Sequence, residues 1–467
     1  MWRCISFLVI FAIAAVYFME LKVLQLERSS WSLQATIGRP VIPRSAVSRE
    51  VKKAQLKFLE WKKSVIMNRT QRKPTSGLQI LLWTNPYILR SLYYAHKGVF
   101  KTCNVKCGFT TNTTLIDTVD AVVITSYDRT RYENCKYLVC VHCQQRNNNS
   151  LSSVLPRQSK KNQIRVFLTR EPPVLLHLDG LPYYYQPFLN KFNWTMTYRR
   201  DSDVPAHFGG FRLQRGKNRS NFNIEGFHDK AHYKLYKERY LRAKTKSVAW
   251  IASNCITASR REIYVQELQK YTQVDIYGAC GTFNCSISRR QRDKSGQVES
   301  CFAELGVQYK FFLSFENSLC VDYVTEKLFF ALNNGMVPVV YGGANYSLFA
   351  PPHSYINALE FGSPKKLADY LHFLDQNDSE YLKYFLWTER YEIFGAVNRW
   401  CHLCQKLWSL SITSELLGVQ MIDPQYTKMY ENVTKWWWFT GENSTVPACR
   451  KPPKYLKIGR PQPRPAL

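Results

Sequence analysis

Acidic residues are scarce in this chain: 35 Asp and Glu face 64 Lys and Arg, a net charge of +29 at pH 7. That balance excludes an acidic, solvating chain and would suit a polyanion, nucleic acid among them. Charged residues make up only 21% and apolar ones 45%, which excludes a disordered polyelectrolyte and leaves enough for a core. The 14 cysteines in 467 residues are too few for a scaffold held by disulfides alone, and too many for a typical cytosolic enzyme. No P-loop, Gly-x-Ser-x-Gly elbow or His-Glu-x-x-His helix occurs, so three common hydrolytic chemistries lack their signatures. No internal repeat is visible, and at ~150 residues per domain the length suggests two or three domains.

What is present begins at the N-terminus. After Met1-Trp2-Arg3 an apolar run extends from Cys4 to Met19, broken only by Ser6. It is short for a span, which needs ~17–25 residues. A signal peptide is the rival reading. No small-x-small cleavage site follows Phe18-Met19-Glu20, which favours an uncleaved anchor. Either reading sends the rest of the chain into a secretory lumen. Sequons agree: they begin at Asn68, Asn112, Asn148, Asn193, Asn218, Asn284, Asn345, Asn377, Asn432 and Asn443. Chance would give roughly three in this composition, so the excess points to luminal exposure. Cysteines fall in local groups, Cys103/Cys107, Cys135/Cys140/Cys143, Cys280/Cys285/Cys301 and Cys401/Cys404, which in an oxidising lumen read as local disulfides. Cys320 and Cys449 stand outside these groups. Such a compartment makes nucleic acid an unsuitable partner.

Residues 22–75 are polar and basic and read as a stem. Apolar runs bounded by turn residues follow. Leu78–Trp83, Asp120–Thr125 and Ile164–Thr169 predict three buried strands with helical stretches between them, as parallel α/β packing requires. Arg212 to Lys246 is charge-rich and reads as a linker. A second α/β series comprises strands over Ser247–Ala252, Val274–Tyr277, Phe311–Phe315 and Val337–Tyr341, with helices from Arg260 to Tyr271 and through Leu332. The Pro-rich, basic stretch after Cys449 reads as a disordered tail.

The stretch from Tyr309 to Gly343 carries the most chemistry. It reads as strand, loop, helix, strand and a Gly-Gly loop, with Val324, Leu328, Ala331 and Leu332 on one apolar helical face and Gly335 at a left-handed C-cap. Asn317, Tyr323, Glu326 and Lys327 cluster in the loop and first helical turn. In parallel α/β sheets, ligands bind at the carboxyl ends of strands. A carboxylate there can accept bonds from both hydroxyls of a ribose, and an ammonium can neutralise a pyrophosphate with help from the helix N-terminus.

This segment resembles the donor-binding signature of the α1,3-fucosyltransferases. The similarity continues through Pro351–Ile356 and Leu359–Phe361, and appears upstream in Phe192–Asp203 and Val248–Cys255. Cys401-His-Leu-Cys404 matches the family's C-terminal Cys pair. The resemblance covers roughly residues 78 to 410. It implies an inverting transferase with an α/β fold, two Rossmann-like domains facing a cleft in the GT-B manner, behind a transmembrane anchor and stem. The implied layout is a cytoplasmic tail over 1–3, a signal-anchor over 4–21, a stem over 22–75 and an N-terminal acceptor domain over 76–215. A linker over 216–246, a donor domain over 247–400, a closing segment with the Cys pair over 401–449 and the basic tail over 450–467 complete it. Donor contacts carry over onto Arg260, Asn317, Tyr323, Glu326 and Lys327, with Arg261 as the one-residue alternative to Arg260.

Thr169-Arg-Glu-Pro-Pro173 puts Glu171 at a strand end, where the family reads Glu-Ser-Pro; Pro172 departs from that pattern. Glu171 is therefore expected as general base. GDP-fucose is the expected donor, and fixed cations are expected to replace a divalent metal, manganese being at most stimulatory. Asp201-Ser-Asp203 could instead hold a nucleotide–metal pair, and Cys140, Cys143, Cys401 and Cys404 could form a zinc site; both readings are weaker than ion-paired acids and disulfides from Cys103, Cys107, Cys401 and Cys404. The leading expectation is a Golgi membrane, single-pass type II enzyme with a luminal catalytic part. It would fucosylate GlcNAc-containing glycans of glycoproteins or free oligosaccharides, with Asn68, Asn112, Asn148, Asn218, Asn432 and Asn443 as candidate glycosylation sites. The alternatives are a protein O-fucosyltransferase of the same fold and a non-catalytic membrane lectin.

Overall fold

A computed structural model describes residues 77–83, 103–105, 107–125, 156, 163–176, 189–217, 226–285, 296–395, 398–417, 420–422, 427–441 and 443–457. The expected anchor and stem, the sequons at Asn68, Asn148 and Asn218, and Cys135, Cys140 and Cys143 lie outside the described residues. Among the described residues no helix is long and apolar enough to cross a membrane.

Short, β-branched apolar runs form the first strands: β1 (Gln79–Leu82), β2 (Gly108–Thr110), β3 (Ala121–Thr125) and β4 (Ile164–Leu168). They are followed by β5 (Leu189–Phe192), β6 (Trp194–Thr197), β7 (Val204–Pro205) and β8 (Gly210–Leu213). Six of them make one sheet in the order β2-β1-β3-β4-β6-β7, with parallel registers such as Ile80 opposite Ala121 and Val123 opposite Val166. β3 and β4 are buried on both faces, as a sheet covered on both sides demands. Ile80, Leu82, Val123 and Val166 face one core, and Leu81, Val122, Ile124 and Phe167 face the other.

The stretch 216–246, expected as a linker, instead contains helix α1 (Lys230–Tyr240), capped by Asp229, whose side chain accepts from His232 N. Its abundant charges hide a stripe of Tyr233, Tyr236 and Tyr240 at helical spacing. Tyr236 and Tyr240 are buried in the core of the second sheet, and Tyr240 stacks on Phe385 at 4.1 Å. The stripe outweighs the charges, because apolar burial drives docking while the charged face stays solvated.

The second sheet holds β9 (Lys246–Ile251), β10 (Val274–Tyr277), β11 (Tyr309–Phe315), β12 (Val337–Tyr341) and β13 (Ile356–Asn357) in the order β10-β9-β11-β12-β13, all parallel. Helices α2 (Arg261–Leu268), α3 (Gly296–Gln308), α4 (Glu326–Asn333), α5 (Pro364–Gln376) and α6 (Asp378–Lys383) belong to it. Strand order reverses between β9 and β11, which is where a doubly wound sheet opens a crevice. Gly335 follows α4 with φ +65°, the left-handed residue expected there.

The chain then returns. β14 (Tyr391–Phe394) pairs antiparallel with β8, and α7 (Arg399–Leu417) covers the first sheet through Leu403 and Leu407. β15 (Tyr430–Asn432) pairs with β5, and α8 (Val433–Trp438) places Trp436 and Trp437 in the first sheet's other core. The stretch after Cys449, expected as a disordered tail, is ordered as far as 457 among the described residues: Leu456 is buried in the second sheet's core and Arg450 N donates to Leu319 O. Its prolines break helix and strand without preventing one leucine from docking.

Candidate functional site

The site grows from the carboxyl end of β11. That strand is buried except for Lys310, and the first residue beyond it is Glu316, 1% exposed. A carboxylate so placed needs donors, and the next helix supplies them. Thr325 gives its backbone N–H at 2.8 Å and its hydroxyl at 2.9 Å, and Lys327 Nζ lies at 3.2 Å. Lys327 also donates to Thr325 Oγ1 at 2.6 Å and to Glu326 Oε1 at 3.3 Å. Burial raises the Glu316 carboxyl above its ordinary value, against the pull of Lys327. Burial works against the Lys327 ammonium too, but Glu316 and Glu326 outweigh it and hold its pKa above that of a free lysine. For Glu326 burial acts upward, while Lys327 and its own backbone N–H prevail and lower it. The cluster thus carries one firm cation between two acids of unequal strength.

Asn317 stands beside this group. Its carbonyl accepts Ser259 N at 3.0 Å, which stitches the β11 loop to the β9 loop. Its side-chain Oδ1 is buried and has no hydrogen-bond partner among the described residues. An acceptor left in that state suits a hydroxyl or N–H donor from a ligand. Tyr323 is buried against Tyr198 at 4.8 Å and Phe208 at 6.4 Å, so the loop after β11 is seated on the first sheet's core. Gly343 is required for the same seating, since a Cβ there would collide with the backbone of Leu319 and Cys320.

The adjacent arginines differ sharply. Arg260 is exposed, has φ +53°, and reaches Leu456 O at 3.5 Å. Arg261 is buried; its guanidinium donates to Phe315 O at 2.6 Å and Asn254 O at 3.3 Å, and Nε has no partner among the described residues. Burial lowers its pKa, while Glu316 and Glu262 act to raise it. Of the two, Arg261 stands among the charges of the β11 loop.

On the first sheet, β4 ends at Leu168 and the turn Thr169-Arg-Glu-Pro-Pro173 follows. Thr169 Oγ1 holds the turn through Glu171 N at 3.3 Å. The Glu171 side chain is exposed, and no hydrogen bond to its carboxylate occurs among the described residues. Loss of solvation by the surrounding protein raises its carboxyl; Lys327 and Arg170 pull it down, and Glu326 and Glu316 push it up. Glu171 and the α4 cluster, separated by more than 140 positions in sequence, therefore share one electrostatic field. Glu316 and Thr325 are the residues sequence reasoning passed over, and Arg261 entered it only as the alternative to Arg260. The signal for Glu316 was its position as the first acid after a strand.

The Asp-x-Asp pair is absorbed by structure. Asp201 accepts from Arg199 at 2.8 and 2.6 Å and from Trp436 Nε1 at 3.1 Å. Asp203 Oδ2 accepts Thr195 N at 2.8 Å and Tyr430 OH at 2.8 Å. Among the described residues the one metal-like cluster is His228, His232 and Glu389. There His232 Nδ1 accepts His228 N at 3.2 Å, which leaves Nε2 as the donor to Glu389 at 3.0 Å: a hydrogen-bonded pair instead of a free ligand set.

The disulfides bear out a local pair in one group, Cys285–Cys301, and correct the expectation for Cys103/Cys107 and Cys401/Cys404. Cys103 bonds Cys401 and Cys107 bonds Cys404, and Cys320 bonds Cys449. Cys255–Cys280 and Cys285–Cys301 complete the described set. Cys401 and Cys404 lie at i and i+3 on α7, three residues apart and so on one face of the helix. Both bonds staple α7 to the segment entering β2. Bonded in this way, neither is a zinc ligand. Of the sequons, Asn112 and Asn443 are exposed and Asn432 is half-buried, with Oδ1 capping α8 through Lys435 N at 2.8 Å. Asn193 is 2% exposed and Oδ1 accepts Arg165 N, so its amide is shut off from modification.

Comparison with known proteins agrees with this layout. Residues 75–209 match the family described as "Fucosyltransferase, N-terminal" and residues 241–436 match "Glycosyltransferase family 10 (fucosyltransferase) C-term". The chain is 38% identical over 279 residues to "Glycoprotein 3-alpha-L-fucosyltransferase A" of Drosophila melanogaster, covering 58% of this chain and 48% of that protein. It is 33% identical to "GDP-fucose protein O-fucosyltransferase 3" of Danio rerio, covering 55% and 52%. It is 36% identical to "3-galactosyl-N-acetylglucosaminide 4-alpha-L-fucosyltransferase FUT3" of Homo sapiens, covering 62% and 71%. The match spans about half the length of the first two of these relatives. Two family domains in sequence order, together spanning most of the chain, make this protein a member of glycosyltransferase family 10, the fucosyltransferases.

Proposed function

We propose that this protein transfers L-fucose from GDP-fucose, with inversion, to a GlcNAc hydroxyl of glycoprotein glycans in α1,3 linkage. The observation that carries the reading is the cluster at the carboxyl end of β11, where Lys327 is held between Glu316 and Glu326 beside the buried Asn317 Oδ1, which has no partner among the described residues. An inverting transfer needs a base on one side of the anomeric carbon and a charge-stabilised leaving group on the other.

In this reading Glu171 takes the proton of the acceptor hydroxyl as its oxygen bonds to the anomeric carbon. The bond from that carbon to the β-phosphate oxygen breaks, and GDP departs with the electron pair. Lys327 and an arginine, Arg260 or its buried neighbour Arg261, meet the developing charge, so no divalent ion is required. Glu326 accepts the ribose hydroxyls, and Asn317 Oδ1 takes a further donor from the nucleotide. Tyr323 shapes the wall between the sheets. The acceptor binds over the first sheet, and the two sheets face the cleft in the GT-B manner. Membrane anchoring through residues 4–21, with the catalytic part in the Golgi lumen, belongs to the same proposal.

The likeness to a relative named as a protein O-fucosyltransferase favours a second reading, in which a Ser or Thr hydroxyl replaces the sugar acceptor. Incubating the secreted protein with labelled GDP-fucose and a panel of glycoproteins, glycans and folded peptides separates the two. N-glycosidase should release the label in the first case. Label resistant to it supports the second, and binding of GDP-fucose with neither transfer nor hydrolysis overturns both.

A further inference from the structure

The C-terminal segment beyond residue 436 lies outside the stretch that matches the family, yet it reaches the donor loop. It is tied there by the Cys320–Cys449 bond, by Val321 N donating to Ala448 O at 2.7 Å and by Arg450 N donating to Leu319 O at 2.9 Å. These links fix the backbone of Arg450, and its side chain takes a further hold: Nη2 donates to Gly342 O at 2.8 Å. Gly342 is the first residue beyond β12, as Glu316 is the first beyond β11, and Glu316 N donates to Tyr341 O at 2.9 Å. The guanidinium therefore stands at the carboxyl edge of the second sheet, one strand over from Glu316 and Asn317, on the edge where parallel α/β sheets bind ligands. The segment then runs on to Leu456, whose carbonyl accepts Arg260 Nη1 at 3.5 Å, so it follows that edge from β12 to the start of α2.

Two hydrogen-bond donors meet at Gly342 without an acceptor between them. Arg450 is exposed, spends one N–H on the Gly342 carbonyl and pairs with no carboxylate among the described residues. Tyr346 is 3% exposed, and a Cβ on Gly342 would collide with its hydroxyl, so that hydroxyl lies against the same turn. It has no hydrogen-bond partner among the described residues, and burial holds the phenol protonated by raising its pKa well above the ordinary value. A buried hydroxyl left unpaired costs free energy, and a ligand that accepts its proton recovers it. Glu316, the acid at this edge, is already taken by Thr325 and Lys327. A guanidinium and a phenol can both donate to one oxyanion, whereas a cation or an apolar group would satisfy neither.

We propose that Arg450 is a donor-binding residue: with the Tyr346 hydroxyl it takes an oxygen of the sugar nucleotide's diphosphate over the Gly342-Gly343 turn. The C-terminal segment thus brings its own cation to the group that Lys327 and the arginine at the start of α2 attend. The inference rests on the donor reading of this site and adds to it a residue from outside the family domains. It also gives the ordered part of the basic C-terminal stretch a use at the substrate.

Calorimetry on the full chain with GDP, GMP and guanosine tests this, because only the phosphates should feel the change. Arg450→Gln keeps the backbone bond to Leu319 and the disulfide. It should weaken GDP about tenfold or more, as the loss of one charge-assisted bond allows, GMP by less, and guanosine by no more than about twofold. Added salt should then weaken GDP binding less in the variant than in wild type. Arg450→Lys, which keeps the charge without the planar fork, should fall between wild type and Arg450→Gln, and serves if the glutamine variant does not fold. Tyr346→Phe deletes an unpartnered hydroxyl, so its Tm should be no lower than wild type while its GDP affinity drops. A GDP affinity within about twofold of wild type in Arg450→Gln or in Tyr346→Phe would overturn the proposal. So would an equal loss for GDP and guanosine in Arg450→Gln, which would mark a residue that only positions the loop. A wild type that binds GDP through Arg450 but neither transfers nor hydrolyses GDP-fucose would instead sink the transferase reading and leave the Arg450 site standing. A wild type that does not bind GDP would sink both.

Discussion

Lys327 Nζ lies 3.2 Å from Glu316, a carboxylate 1% exposed, so the ammonium expected to meet the donor is also the counter-charge of a buried acid. Function and stability are coupled at this pair, and one substitution will disturb both. Lys327→Ala leaves Glu316 buried without its cation, at a cost of about 3–5 kcal/mol by analogy with broken buried pairs. The double variant Lys327→Met/Glu316→Gln keeps the bond from Thr325 N and removes the stranded charge. Its Tm should return close to wild type while its affinity for GDP, read by calorimetry, stays weakened. A double variant that binds GDP as wild type does removes Lys327 from the donor site.

Glu171→Gln isolates the chemical step. Its side chain is exposed and its carboxylate is unbonded among the described residues, so the fold should be indifferent to the change. Turnover should fall by ~10²–10⁴-fold, the usual weight of a general base, with GDP affinity within about twofold of wild type. Transfer at near-normal rate would mean that the proton leaves by another route.

The same residue fixes a pH dependence. The protein around it, with Glu326 and Glu316, raises the Glu171 carboxyl, and a base must be deprotonated to act. The acid limb of kcat/KM should therefore lie above the pH at which an ordinary glutamate titrates, with activity lost as pH falls through it. Glu326→Gln removes one like charge and should move that limb to lower pH, even as donor binding suffers. Because these acids titrate together, the limb reports the group. An acid limb unchanged by Glu326→Gln would show that the two do not share a field.

Much of this was legible in the residues, for a physical reason. Doubly covered parallel strands are continuous apolar runs, and Leu78–Trp83, Asp120–Thr125, Ile164–Thr169, Val274–Tyr277 and Val337–Tyr341 each became a strand within a residue or so of its expected bounds. Gly335 and the loop–helix placement of Asn317, Tyr323, Glu326 and Lys327 could be read because local sequence decides caps and strand ends. Long-range pairing could not. Nothing in Cys401-His-Leu-Cys404 tells that its partners lie almost 300 positions away. Nothing in Lys327 tells that Glu316 holds it, and the tyrosine stripe of α1 is masked by its charges.

Asp201 separates a structural acid from a metal ligand. It neutralises Arg199, whose side chain is 3% exposed and which also donates to Trp436 O and Phe439 O. Asp201 itself is 47% exposed, so solvent moderates the loss. Asp201→Asn should lower stability by about 1–3 kcal/mol in denaturant unfolding. Transfer should persist in EDTA. A variant of full stability whose activity is lost and returns with manganese would make Asp201 a ligand.

The Cys320–Cys449 bond makes the last prediction, because it ties the C-terminal segment to the loop that carries Asn317 and Tyr323. Cys320 is fully buried, Val321 N donates to Ala448 O at 2.7 Å, and Arg450 N donates to Leu319 O at 2.9 Å, so three bonds of two kinds hold one contact. The bridge closes a separation of 129 residues, for which a chain-entropy model gives about 4–5 kcal/mol. Cys320→Ala/Cys449→Ala should lower Tm, and it should weaken GDP binding more than Cys107→Ala/Cys404→Ala, whose bond spans a longer loop but lies on the first sheet. If the two double variants lose donor affinity equally, the C-terminal segment acts on global stability alone and does not position the loop.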